Sequence, residues 1–445
     1  MARIELTRNR VLKSLLKSRY PQLLICAVLL AAYLFAILAG LIGTPVGSQN
    51  FSIVFVWIAW WAILILAAVP FLGRSWCAVC PIPLAGEWLQ RGALLEPPSQ
   101  PPSFLGLRVP ARLRNMWMQN LSFTLVALFS SVILTTPSVT AVVLAGMLFA
   151  AVGLSMVFER RVFCRYLCPV GGFIGLYAQA APLELRIQDK TRCTRCADKP
   201  CYNGSAAGYG CPWDVFPGGL NKNNYCGLCL ECLRTCPKDN IAINLRPFAA
   251  DLAQPASRLD EAGKAFIMLG SCLVYAAVLL GPWGAFKDAA FQVGTPAWTG
   301  YAGAFLGVIF GLLPSLFALA VWAGGGASKA RFKQRFTQLA AALVPLGLMF
   351  WVAFSLAFVL ANASYILAAL SDPLGLGWNL FGLAGMAWQP VLSSSLPALQ
   401  TLALVSGLAW AARTAQRAPL KLGASALPVI LYLLAATLLM LWLLI

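Results

Sequence analysis

The sequence predicts a polytopic α-helical membrane protein of about nine transmembrane helices, with a cysteine-rich α+β segment inserted after the fourth. Three observations carry that reading. Of 445 residues, 60% are hydrophobic and 11% charged, a composition outside the range of water-soluble domains. The apolar residues gather into runs long enough to cross a hydrocarbon core of about 30 Å. The formal charge of +18 is not spread along the chain but confined to the segments between those runs.

The runs lie near 21–42, 51–72, 119–137 and 139–158, then 264–283, 300–324, 338–361, 393–412 and 424–445. The chain thus divides into a four-helix region (1–184), a cysteine-rich segment (185–250) and a five-helix region (251–445). Basic residues favour the cytoplasmic side of a membrane. In a nine-helix arrangement 32 of the 33 lysines and arginines fall on one side, and only Lys287 falls opposite. This makes the segment 185–250 cytoplasmic in a multi-pass plasma (inner) membrane protein. The N-terminus is basic and then apolar for about 22 residues, longer than a signal-peptide core, so it reads as an uncleaved helix. The stretch 363–392 has room for a re-entrant or surface helix. Residues 246–258, with Pro247 and Pro255, read as a linker back to the membrane.

The chemistry is concentrated between Cys193 and Pro237. The second half reads Cys226-x-x-Cys229-x-x-Cys232-x-x-x-Cys236-Pro237, and the first is a looser copy with Cys193, Cys196, Cys201 and Cys211-Pro212. Three thiolates in a tight loop and a fourth before proline suit a [4Fe–4S] cubane, whose sulfides accept bonds from the loop's N–H groups. A zinc ribbon needs four ligands and has no use for a third cysteine at the same spacing. Disulfides require an oxidising compartment. The tandem resembles the bacterial two-cluster ferredoxin, in which the fourth cysteine of each run ligates the other cluster. That resemblance implies a bacterial-ferredoxin-like domain with one cluster on Cys193, Cys196, Cys201 and Cys236. The second cluster would then be held by Cys226, Cys229, Cys232 and Cys211. Pro217-Gly218-Gly219 supplies turn chemistry between the halves, and Ala242–Leu245 reads as a short strand.

Two further motifs end the second and fourth helices: Trp76-Cys77-Ala78-Val79-Cys80-Pro81 and Phe163-Cys164-Arg165-Tyr166-Leu167-Cys168-Pro169. Each has an aromatic, two close cysteines and a proline, as in a duplicated hairpin. Side by side, the hairpins bring four thiols together at the membrane surface. With the cysteine-rich segment, these motifs resemble the NapH and NosR type of polytopic membrane 4Fe–4S ferredoxin over about residues 20–250. Relatives of that type include a membrane cupric reductase of oxidase assembly and ferredoxin subunits of iron uptake. The first motif departs from the type, with two residues rather than three between its cysteines. The resemblance implies that Cys77, Cys80, Cys164 and Cys168 are redox-active and pass electrons between the membrane and the soluble clusters. A third cluster, a transient metal ion and a dithiol–disulfide couple are the three chemistries open to them.

The absence of histidine removes haem and the usual copper and non-haem iron sites. The apolar runs hold no mid-membrane acid or base, which argues against a pump or substrate transporter. The placement of basic residues argues against nucleic acid, and it accounts for Arg160, Arg161 and Arg165 without an acidic partner. Cys26 and Cys272 read as small hydrophobes. Gly303, Gly307 and Gly311 read as a helix-packing face. Trp57, Trp60, Trp61, Trp283, Trp298, Trp351, Trp388 and Trp442 read as interface anchors or lipid-facing bulk. Three functions compete. The first is an electron-transfer subunit, quinol dehydrogenase-like, linking a quinone pool or cytoplasmic donor to a membrane or periplasmic acceptor through a redox partner protein. The second is a cupric or ferric ion reductase, or an electron supplier to metal uptake or assembly. The third is a scaffold with structural clusters.

Overall fold

The computed structural model describes residues 3–98, 104–253, 258–281, 284–325, 329–417 and 425–445. Pro255 and Trp283, each given a role above, lie outside them, as does Lys421, one of the 33 basic residues counted there. Contacts divide the chain into two units, one of Met1–Phe35, Ala67–Gln119 and Val143–Asp251, the other of Ala36–Leu66, Asn120–Val142 and Leu252–Ile445. The cysteine-rich segment therefore shares a unit with both helix-end motifs.

Seven helices among the described residues are long and apolar enough to cross a membrane: Tyr20–Ile42, Phe51–Val79, Pro137–Val157, Leu259–Leu280, Pro296–Ala323, Arg331–Asn362 and Leu427–Leu444. The two other expected runs are helical but fall short. The third run breaks into Trp117–Leu128 and Ser130–Ile133. Pro137 does not end that run but opens the next helix, where its missing N–H costs nothing. The run expected at 393–412 forms Leu396–Arg417, which is diluted by Gln400, Thr401, Arg413 and Arg417.

In the first unit, three short strands form an antiparallel sheet in the order β1 (Ile4–Glu5), β3 (Ile241–Leu245), β2 (Leu183–Ile187). Ile4 faces Leu245, and Leu183–Ile187 pairs with Leu245–Ile241 in unbroken register. The sheet buries Leu185, Ile241 and Ile243 against Leu228, Leu233, Cys201 and Cys232. Behind it, Arg246 and Arg186 share Asp251 and Glu184, and every one of these side chains is buried. The helix Arg10–Lys17 is capped by Asn9 and tied to Asp239 through Lys13 and Lys17.

In the second unit, Gln400 Nε2 donates to Ala353 O at 3.1 Å, linking helices Leu396–Arg417 and Leu343–Asn362. A Cβ on Gly407 would fall 2.6 Å from Met349 Cβ, so the glycine sets that close approach. Two expectations need correction here. Gly303, Gly307 and Gly311 have nothing within 4 Å of a built Cβ, and Gly307 instead begins a π-helical turn, Gly307–Leu312. Trp351 is no interface anchor: it is fully buried, donates to Met268 O and stacks edgewise on Trp61 and Tyr275. Trp388 and Trp442 are exposed. The stretch 363–392 contains the helix Ser364–Ser371.

Candidate iron–sulfur sites

All the chemistry-bearing cysteines lie in the first unit, and they fall into three sets of four. In the first set, Cys193, Cys196, Cys201 and Cys236 line one cleft with Pro200, Phe216, Pro237 and Asn240. Asn240 Nδ2 donates to Cys193 Sγ at 3.2 Å, and Asn240 N donates to Cys236 Sγ at 3.3 Å. Sulfur is therefore already a hydrogen-bond acceptor here. Burial and the neighbouring Cys236, Cys193 and Cys196 push the Cys201 thiol up to about 12.

The second set is Cys211, Cys226, Cys229 and Cys232. The loop Cys226–Cys232 curls through two left-handed residues, Leu228 (φ 50°) and Leu230 (φ 66°), before the helix Glu231–Thr235. Burial and the charge of the other three thiols hold Cys232 well above the ordinary thiol range. Cys226 and Cys229 are pushed up to about 11 and about 12, chiefly by burial. Trp213, two residues beyond Cys211, is fully buried against the loop: a Cβ on Gly227 would sit 2.2 Å from its Nε1.

The third set is the helix-end group. Cys77 lies in the short helix Trp76–Val79 and Cys80 caps its C-terminus, while Cys164 lies in the π-turn Phe163–Leu167. Cys168 caps the helix Pro169–Tyr177, its sulfur accepting from Gly171 N at 3.2 Å. Burial, then the charges of Cys168 and Cys77, raises Cys80, while Cys164 feels Cys168, Cys80 and Cys77. The duplicated hairpins thus bring all four thiols within electrostatic reach of one another.

Two segments of the chain match the model of a 4Fe-4S binding domain. They are residues 53–98 and 139–186, well under half the chain. Neither reaches Cys193; each contains one helix-end motif, the first Cys77 and Cys80, the second Cys164 and Cys168. No curated protein and no solved structure matches the chain.

The donors fit such a cofactor. Thiol is the ligand iron–sulfur clusters use, and each set supplies four. A single zinc ion holds its sulfurs about 3.8 Å apart, from a Zn–S bond of about 2.3 Å. Among the described residues no three cysteine or carboxylate side chains close to the spacing of a single ion. A cubane keeps its ligands wider. Burial and neighbouring sulfurs disfavour the thiolate form in each set, and cationic iron would stabilise it by ligation.

Several residues around the 4Fe-4S binding segments escape a reading of spacing alone. Arg161 is not an orientation signal at the surface. It is buried, and it forks onto Glu87 at 2.5 and 2.8 Å while donating to Cys77 O at 3.0 Å. Its backbone N–H donates to Pro212 O at 2.9 Å. Arg165 donates to Trp213 O, and Arg160 donates to Cys211 O at 3.1 Å. Arg74 is buried as well; it donates to Asn224 O and stacks on Trp213 at 4.3 Å. The signal was in the repeat: Arg74 and Arg161 each stand three residues before the first cysteine of their motif, and each follows a left-handed residue, Gly73 or Arg160.

Glu87 and Glu231 give a pH prediction. Burial raises a carboxyl, yet Arg161 and Arg91 hold Glu87 below the usual range, and Arg19 and Arg234 do the same for Glu231. A depressed folded value contributes stability above the unfolded value of about 4.3 and loses it as pH falls through that range. Thermal unfolding in detergent is expected to show a fall in stability below about pH 4.3. Glu87→Gln is expected to make that dependence shallower, and a parallel pH profile would count against the assignment.

Proposed function

We propose that this protein is a membrane-bound iron–sulfur electron carrier with three [4Fe–4S] centres. It passes electrons between a quinone pool or cytoplasmic donor and an acceptor in or across the membrane. The observation that carries the reading is the grouping of twelve cysteines into three four-thiol sets within one unit. Two of the sets would be held by Cys193, Cys196, Cys201, Cys236 and by Cys211, Cys226, Cys229, Cys232. The third is Cys77, Cys80, Cys164 and Cys168. Bound clusters supply one-electron steps, which divide the two electrons of a quinol. The chain's own contribution is to bury the thiols, fix their loops and keep arginines beside them.

Strand pairing supports a shared side for the N-terminus and the cysteine-rich segment. Because β1 pairs with β3, the chain between them crosses a membrane an even number of times. Tyr20–Ile42, Phe51–Val79 and Pro137–Val157 supply three crossings. The bridge Leu107–Phe158 and the bond from Gln119 to Cys164 O join the two ends of the stretch containing Trp117–Ile133 and Pro137–Val157, so the broken pair supplies the fourth. The basic residues that flank these helices favour the cytoplasm for that side.

The test is anaerobic purification in detergent. Iron and acid-labile sulfide are expected at about twelve each per chain, with absorbance that bleaches on adding a quinol analogue. A colourless chain holding zinc and no sulfide would overturn the reading. Clusters that no quinol and no low-potential donor can reduce would turn it toward a scaffold.

A further inference from the structure

Arg74 and its counterpart Arg161 occupy equivalent places in the two hairpins but are neutralised differently. Arg161 has Glu87. Arg74 has no carboxylate partner among the described residues, and its Nε and one Nη (Nη2) are buried donors with nothing to bond. The Trp213 Nε1–H is buried and unpaired in the same way. An uncompensated buried cation and orphaned donors carry a large free-energy cost, so a native site of this kind calls for an anion.

The surroundings identify where that anion sits. Arg74 Nη2 and Cys168 Cβ lie 3.5 and 3.4 Å from the point where a Gly171 side chain would begin, so guanidinium and cysteine flank one bare α-carbon. Gly175 likewise leaves Arg74 Nη1 only 3.0 Å from its missing Cβ. On the other side, the Trp213 Nε1 edge lies on Gly227, inside the loop Cys226–Cys229. The indole and the guanidinium are stacked on each other. One end of this pair lies beside Cys168 of the helix-end set, and the other lies on the Cys226–Cys229 loop of the second ferredoxin-type set.

We propose that Arg74 and Trp213 form a bridge between these two centres, donating their unpaired N–H groups to sulfur: Arg74 at the centre of Cys77, Cys80, Cys164 and Cys168, Trp213 at the centre of Cys211, Cys226, Cys229 and Cys232. The inference rests on the three-centre reading above. Both are positioning residues. Hydrogen bonds and positive charge at cluster sulfurs favour the reduced, more negative state, so the bridge raises both potentials.

The experiment is a potentiometric EPR titration of the full chain in detergent, comparing the parent with Trp213→Phe, Arg74→Gln and Arg74→Lys. Trp213→Phe keeps an aromatic ring under Arg74 and removes the pyrrole ring with its N–H. It is expected to lower the potential of the Cys226-containing centre by about tenfold in its reduction equilibrium, about 59 mV for one electron. The Cys193-containing centre is expected to stay put. Arg74→Gln is expected to lower the helix-end centre by at least as much, and Arg74→Lys to recover part of the shift. Should Arg74→Gln not accumulate, Arg74→Lys decides: a potential equal to the parent's overturns the bridge, and a lower one sustains it. Three loaded centres with unmoved potentials in Trp213→Phe and Arg74→Lys overturn the bridge alone. A parent chain without iron at the helix-end thiols overturns the three-centre reading and the bridge with it.

Discussion

Replacing Cys164 and Cys168 together by serine is expected to lower the iron content from about twelve to about eight atoms per chain, with sulfide falling in step. The fold is expected to survive. Serine is nearly isosteric with cysteine, and at position 168 it is the better N-cap, so the bond from Gly171 N and the helix Pro169–Tyr177 are kept. What is lost is ligation: a hydroxyl is a hard, protonated donor at neutral pH, and iron–sulfur clusters are built on thiolate. Cys77 and Cys80 alone then leave a half-site. The clusters of the Cys193–Cys236 stretch keep their ligands, so their EPR signals are expected to persist while reduction by quinol slows by at least tenfold. Unchanged iron in this double variant would remove the third centre from the molecule. The same loss of iron with the ferredoxin-type signals also gone would show the thiols to be a folding element instead.

Which candidate cysteines gather was legible in their spacing, because residues a few positions apart on a tight loop stay close. Cys226, Cys229 and Cys232 share one such loop. What surrounds them was not legible. Glu87 and Arg161 are 74 positions apart, and an arginine beside an apolar run has a sufficient explanation in membrane orientation. Only the fold shows that this one is buried. The two-residue strand Ile4–Glu5 has no sequence signature either, since its order comes from pairing with Asn244 and Leu245. Helix count was limited for a related reason. Hydropathy measures a run's length and apolarity, whereas the broken helix of 117–133 earns its place through contacts. The π-helical stretches Val54–Trp60 and Ile63–Leu72 add residues to a span without adding length; Pro70, which lacks an N–H, lies in the second.

Arg161→Met is expected to destabilise the protein by about 3 kcal/mol or more. Glu87 lies on the helix Ile82–Arg91, which follows Cys80-Pro81, and Arg161 precedes Cys164 in the other hairpin. Their forked pair clips the two halves of the duplication together, and Arg161 also holds the Cys77 carbonyl. Methionine fills the volume but leaves a buried carboxylate whose remaining partner is Arg91, at 3.0 Å. The penalty comes from that abandoned charge more than from the lost attraction. The double variant Arg161→Met/Glu87→Leu removes both charges and is expected to return to within about 1 kcal/mol of the parent in detergent unfolding. If the double variant is as unstable as Arg161→Met, the clip works through shape and through the Cys77 carbonyl, and the charge argument fails. Iron at the helix-end thiols separates the two accounts further. It is expected to recover with stability in the double variant only if the carbonyl bond is dispensable for bringing Cys77 and Cys164 together.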